Sequence, residues 1–192
     1  WLGLFDANLN PLDHVLYFDQ TTDYSQGRSP DGGASPYQYF GMPTPGTANA
    51  AVPGYAALLD GLRITEIMYA PLGDGDWEFI ELKNVGAADL ELGGVRFVAG
   101  IDFTFPQMTL EAGGYAVVVR NIGKFYERYG SGINVVGQYA GNLDNSGEEI
   151  VLALPAPYDA AILRFKYDNA WQPLANGGGR SLLVVDETAL PT

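Results

Sequence analysis

The chain has 192 residues, 10 basic and 23 acidic, with a net charge of -13 and 47% hydrophobic content. That is enough for one good-sized domain, or one domain plus a fragment, and the acidity argues against phosphate backbones and anionic lipid surfaces as partners, so neither nucleic acid nor membrane insertion is expected. It has no cysteine, which excludes thiol catalysis and thiolate metal sites, and its 25 Gly and 12 Pro suit short strands joined by tight turns.

Residues 1 to 50 read as two strands and a long Gly/Pro-rich exit. Leu2 to Phe5 and His14 to Phe18 are apolar runs about a turn at Asp6 to Pro11. Gln26 to Gly33 is loop, Tyr37 to Phe40 a short strand, and Met42 to Gly46 turn chemistry. The far end repeats this order: Ile150 to Ala153, a turn at Pro155 to Asp159, Ile162 to Phe165, then Gly179-Arg180-Ser181, which matches Gly27-Arg28-Ser29. Residues 1–46 therefore read as the last strands of a preceding repeat, 47–61 as a linker holding a helical turn at Tyr55 to Leu59, and 62–192 as a complete domain. Strands torn from their partners leave apolar faces open, so residues 1–40 are expected to dock on the complete domain or self-associate with another chain.

The complete domain opens with a strand at Leu62 to Tyr69. Next comes Trp77 to Val85, where Ile80 and Leu82 alternate with Glu81 and Lys83 as in a half-buried antiparallel strand. Val95 to Ala99 and Ile101 to Phe105 follow, with Gly100 as a bend between them. Tyr115 to Arg120 is a continuous apolar run that predicts burial on both faces. Asn121 is placed to cap a short helix through Tyr129, with Phe125 and Tyr129 four apart and Gly130 ending it. Val135 to Ala140, Glu149 to Ala153, Ala161 to Tyr167 and Ser181 to Asp186 are the remaining strands. Roughly eight or nine short strands with one short helix predict an all-β sandwich.

The segments Arg63-Ile64-Thr65-Glu66-Ile67-Met68, Asp76-Trp77-Glu78-Phe79-Ile80-Glu81-Leu82-Lys83-Asn84 and Leu90-Glu91-Leu92-Gly93-Gly94-Val95-Arg96-Phe97 resemble, in order, the opening of a lamin-tail domain. Asn142 to Glu148 is similar to the hairpin of that family's bacterial members, and Trp171-Gln172-Pro173 with Gly177 to Leu182 to their closing motif. The resemblance spans about Leu62 to Asp186. It implies an immunoglobulin-like β-sandwich without catalytic function, a tandem-repeat module of a larger, secreted bacterial protein that sits outside the cell or on its surface. Such a module serves as spacer, adhesion or protein-interaction domain, with neighbouring repeats or another protein as partner.

Chemistry finds few footholds. His14 is the one histidine, so a triad or histidine metal site would have to be built on it, and a structural strand residue is the simpler reading. Asp74, Asp76 and Glu78 alternate across a turn and offer oxygens to calcium. Asp144 with Glu148 or Glu149 is a second such group. Calcium takes about six to eight oxygens, and neither group has the spacing of a helix-loop-helix calcium loop. No other cofactor is expected. Glu78 and Glu81 lie three apart on one strand and so face opposite ways, unlike the facing carboxyls of a glycosidase. Trp77, Trp171, Tyr126 and Tyr129 are candidates for a sugar-stacking platform, which would make polysaccharide the partner of an accessory module beside a secreted hydrolase or nuclease; filling the core is the competing use of these rings.

Overall fold

Alternation with a period of two puts Ile80 and Leu82 on one face of a strand and Phe79 and Glu81 on the other, and the apolar residues of both faces find cover. The computed structural model of the protein describes residues 2–15, 25–33, 37–40, 43–49, 55–156 and 161–187. In chain order the strands are β1 (Leu2–Phe5), β2 (Pro11–Val15), β3 (Ser25–Arg28) and β4 (Tyr37–Phe40). After helix α1 (Tyr55–Gly61) come β5 (Leu62–Met68), β6 (Phe79–Asn84), β7 (Leu90–Glu91), β8 (Arg96–Ala99), β9 (Phe103–Thr104), β10 (Thr109–Leu110) and β11 (Tyr115–Val119). Helix α2 (Ile122–Tyr129) precedes β12 (Val135–Gln138), β13 (Glu149–Ala153), β14 (Ala161–Lys166) and β15 (Leu182–Leu183).

Two sheets face each other, one five-stranded in the order β12-β11-β6-β5-β15, the other four-stranded in the order β14-β13-β8-β9. Leu62, Ile80, Leu82 and Val118 from the first meet Phe97, Ile150, Leu152 and Leu163 from the second in one continuous core. This is the all-β sandwich the turn spacing predicts. Its described strands from β5 onward number eleven rather than eight or nine, because two-residue ladders such as β7 with β10 are too short to show in a hydrophobic pattern.

The outer face of the five-stranded sheet carries a second apolar cluster. Met68, Phe79, Val117 and Val119 lie beneath Phe125 of α2, with the Phe79 and Phe125 rings edge to face at 5.6 Å. Ala116 to Val119 is accordingly buried on both faces and flanked on both sides, as the unbroken apolar run requires, while Tyr115 at the strand's start stays exposed. The Asn121 side chain accepts the Lys124 N–H at 3.1 Å, and Gly130 ends the helix at φ 83. The helix carries the chain back across the sheet, so β12 pairs parallel to β11, a pairing that a tight turn could not make.

Several expectations need correction. Trp77 is not in the strand: Asp74 caps a 3-10 turn over Gly75–Trp77, and β6 begins at Phe79. Gln26 to Arg28 is not loop but part of β3, which pairs antiparallel with β4. Its polar sequence hides a strand whose ladder, not its side chains, defines it. β2 begins at Pro11 rather than His14, and its hairpin with β1 is closed by Asp6, whose carboxylate accepts the Asn8 and Asn10 N–H groups at 2.8 Å each. The Leu16 to Phe18 end of the expected second strand, Met42, linker residues 50–54 and residues 157–159 of the expected turn lie outside the described residues.

The described residues between 2 and 49 are tied to one another, and β4 to the sandwich. Arg28 grips Asp13 with two hydrogen bonds of 2.9 and 2.6 Å, and the Asn49 side chain donates to the Arg28 carbonyl at 2.9 Å. Phe40 is 1% exposed and β4 lies against α1, whose own Leu58 is in the main core. Leu4, Leu9 and Leu12 of the hairpin remain open to solvent.

Candidate functional site

The acidic turn before β6 is held by cations from the loop and helix behind β11. Asp74 accepts the Asp76 N–H at 3.0 Å and faces the Lys124 ammonium at 3.6 Å, and Asp76 lies 3.3 Å from the Arg120 guanidinium. Glu78 is buried. It accepts hydrogen bonds from Arg120 at 2.9 Å, from the Leu143 N–H at 2.9 Å and from the Tyr139 hydroxyl at 3.2 Å. Burial pushes its carboxyl above the usual range, and these three donors pull only part of the way back. The group thus fastens the start of β6 to the end of β11 and to the chain after β12. Glu81, on the opposite face, accepts from the Thr65 hydroxyl at 2.7 Å, so the two carboxyls do not confront each other.

The second acidic group is a turn lock. Asp144 accepts from the Ser146 N–H and hydroxyl, which hold its carboxyl below the usual range, and Glu148 accepts from the Asp144 N–H at 2.8 Å and the Tyr167 hydroxyl at 3.1 Å. Glu149 faces Arg164 at 3.7 Å. Among the described residues no group of three or more His, Asp or Glu side chains gathers where a metal ion could sit. His14 lies in β2 opposite Gly3.

A cleft of about 920 Å³ runs along β5 and β15. On one side of β15 its wall is Met68 and Phe79 with Tyr129 of α2. On the other it is Leu163, Phe165 and Trp171, at the mouth between the two sheets. Two of the four candidate rings therefore meet at this cleft, Tyr129 in the wall and Trp171 standing 61% exposed. Trp77 does not line it: the ring is half-buried, with the Arg128 guanidinium 4.4 Å over its face. Tyr126 packs against Phe125.

What sequence reasoning missed is the edge itself. β15 is an outermost strand of its sheet and β14 of the other, and they flank the cleft. Val184 donates its N–H to the Thr65 carbonyl at 3.0 Å and Leu183 pairs with Glu66, so by antiparallel alternation the N–H of Leu183 points away from β5. Val185 is 103% exposed. A run of four apolar residues, Leu182 to Val185, ending in Asp186-Glu187 was the available signal, and it reads as an ordinary closing strand until its neighbours are known. The segment is pinned at both ends: the Ser181 hydroxyl donates to Glu66, and Lys83 pairs with Glu187, which holds the ammonium above its ordinary pKa.

Compared with known proteins, the chain matches one family model, the Lamin Tail Domain, over residues 58–168. No curated protein and no solved structure matches it.

Proposed function

The chain belongs to the lamin tail domain family, and from that premise we propose that it is a non-catalytic immunoglobulin-like interaction module of a larger extracellular bacterial protein, with residues 1–46 closing a preceding repeat. The observation that carries this reading is the unpaired edge of β15 at Leu183 beside a cleft walled by Leu163, Phe165 and Trp171. An extended segment of a partner can add its backbone to that edge and lay alternate side chains into the cleft. The buried titratable cluster around Glu78 supports the same view: its oxygens are taken up by Arg120, Leu143 and Tyr139, and it lies apart from the cleft lining. Titrating the isotope-labelled protein with an acetylated peptide alternating threonine and valine tests it. Amide shifts should concentrate at Leu182 to Val185, with a change at the Trp171 indole; shifts absent or confined to other surfaces would refute the docking site.

One observation favours a second reading. Trp171 stands exposed on the cleft wall, as a sugar-stacking ring would. A single ring makes a poor platform, and soluble oligosaccharides that quench its fluorescence and protect it from oxidation would be needed to prefer carbohydrate.

A further inference from the structure

We infer that the cleft takes a short uncharged strand of another polypeptide, apolar on both faces rather than on alternate residues. The inference rests on the docking role just proposed and adds that both sets of the occupant's side chains, not one, meet apolar walls. β15 is itself such a strand. Leu182, opposite Ile67, packs against the main core, while Leu183, opposite Glu66, lies on the other face of the sheet and is 68% exposed. A strand laid along β15 has the same two faces. On the inner one its side chains meet Leu182, Phe165 and Trp171, and on the outer one Leu183 and Tyr129. Alternation, which suits a strand with one face in water, would set polar side chains against one of these walls.

Backbone pairing alone cannot hold this partner. β15 has two residues in its ladder, and of these Leu183 turns its N–H outward, so side-chain burial has to supply most of the affinity. Charge has no place in the run. The lining is balanced, with Arg63, Arg128 and Arg180 against Glu66, Asp186 and Glu187, and most of these groups are engaged within the chain. Glu66 accepts from Ser181, and Glu187 pairs with Lys83. Arg128 is folded onto the Trp77 and Tyr129 rings at 4.4 and 5.3 Å and donates to the Leu72 carbonyl at 3.1 Å. Arg63 is buried and donates to the Leu59 and Leu62 carbonyls at 3.0 and 2.9 Å. Arg180 is exposed just before β15, where it meets the end of an occupant rather than its middle. A charge set between the walls would therefore lose water without gaining a counter-charge. A second copy of this chain could offer its own Leu182 to Val185, but with Asp186 and Glu187 attached, carboxylates that the balanced lining does not call for.

The test uses labelled, end-capped peptides that vary about four central residues, a short strand, between glycine-serine flanks. One has a continuous run of valine and leucine, and two have valine alternating with threonine in opposite phase. Two more place a lysine or a glutamate in the middle of the run, and the last copies Ser181 to Glu187. Affinities for the intact protein are read by fluorescence anisotropy at about 50 and 300 mM salt. The continuous run should bind at least about fivefold more tightly than either alternating peptide and than both charged ones, and its affinity should change less than about twofold between the two salts. Leu183→Pro, which removes the outward N–H without taking a bond from β5, and Trp171→Ala should each weaken it. An alternating peptide that matches the run shows that one wall suffices and overturns the two-faced pattern while leaving the docking role intact. A charged peptide that binds more tightly than the run overturns its neutrality, and a copy of Ser181 to Glu187 that does so makes the occupant a second copy of this chain and overturns the inference. So does a run indifferent to both substitutions, which is adsorbing elsewhere. Failure of every peptide overturns the docking role as well.

Discussion

Glu78→Ala is the substitution whose cost follows most directly from the structure. It removes the acceptor of three hydrogen bonds, and the three donors are not equivalent. The Leu143 N–H and the Tyr139 hydroxyl are buried and lose their acceptor, at about 1–3 kcal/mol each. Arg120 is 33% exposed and still has Asp76 at 3.3 Å, so its loss is about 0–1 kcal/mol. The expected total is about 2–7 kcal/mol, most of it from the two buried donors. At about 2–4 °C per kcal/mol for a chain of this size, the melting temperature should fall by about 4–28 °C. Thermal unfolding followed by near-ultraviolet circular dichroism, paired with urea titration, measures it. Arg120→Ala provides the contrast: it leaves a buried carboxylate without its cation, a cost at neutral pH that protonation of Glu78 relieves, so its deficit should shrink toward pH 5 while that of Glu78→Ala should not. A loss below about 0.5 kcal/mol for Glu78→Ala, within the range of ordinary surface substitutions, would refute the reasoning. So would an Arg120→Ala deficit that ignores pH.

The wild-type protein should itself gain stability on mild acidification. Burial raises the carboxyls of Glu78, Glu81 and Asp60, so the folded chain holds more protons than the unfolded one above their ordinary values of about 4–4.5, and stability falls as pH rises through that window. The depressed carboxyls of Asp6 and Asp144 work the other way, and their stabilisation is lost only as pH drops through their lowered values. Melting temperature should therefore peak near the upper end of the carboxylate range, and Glu78→Gln should flatten the climb; a steady fall from pH 7 to pH 5 would contradict this. Gly147→Ala should be markedly worse than Gly113→Ala. At φ 108 a Cβ on residue 147 meets the Tyr167 carbonyl and, at 2.9 Å, the Asp168 Cα, whereas residue 113, at φ 73, has nothing within 4 Å. The expected costs are above about 2 kcal/mol and near 1 kcal/mol, read from urea midpoints.

Much of the fold was legible because burial writes itself into periodicity. The unbroken apolar run Tyr115 to Val119 announced a strand covered on both faces, and Asn121, Phe125, Tyr129 and Gly130 spelled out a capped helix with its ending. Gln26 to Arg28 could not be read the same way, since a strand held only by backbone pairing to β4 leaves no mark on side-chain type. The acidic positions were visible as acids, but not what they touch. Glu78 looked like one member of a calcium group. Its partners come from residues 42, 61 and 65 positions further along the chain.

The sequence by itself determined that alternating short strands would close into a sandwich and that α2 would form, because those outcomes depend on local pattern and the need to hide apolar side chains. Only the tertiary structure decided that β12 runs parallel to β11, that Trp171 and Tyr129 share one cleft while Trp77 lies under Arg128, and that Leu183 turns its N–H outward. Each of these depends on which strand ends beside which, and a strand carries no record of whether its second edge will be met or left open.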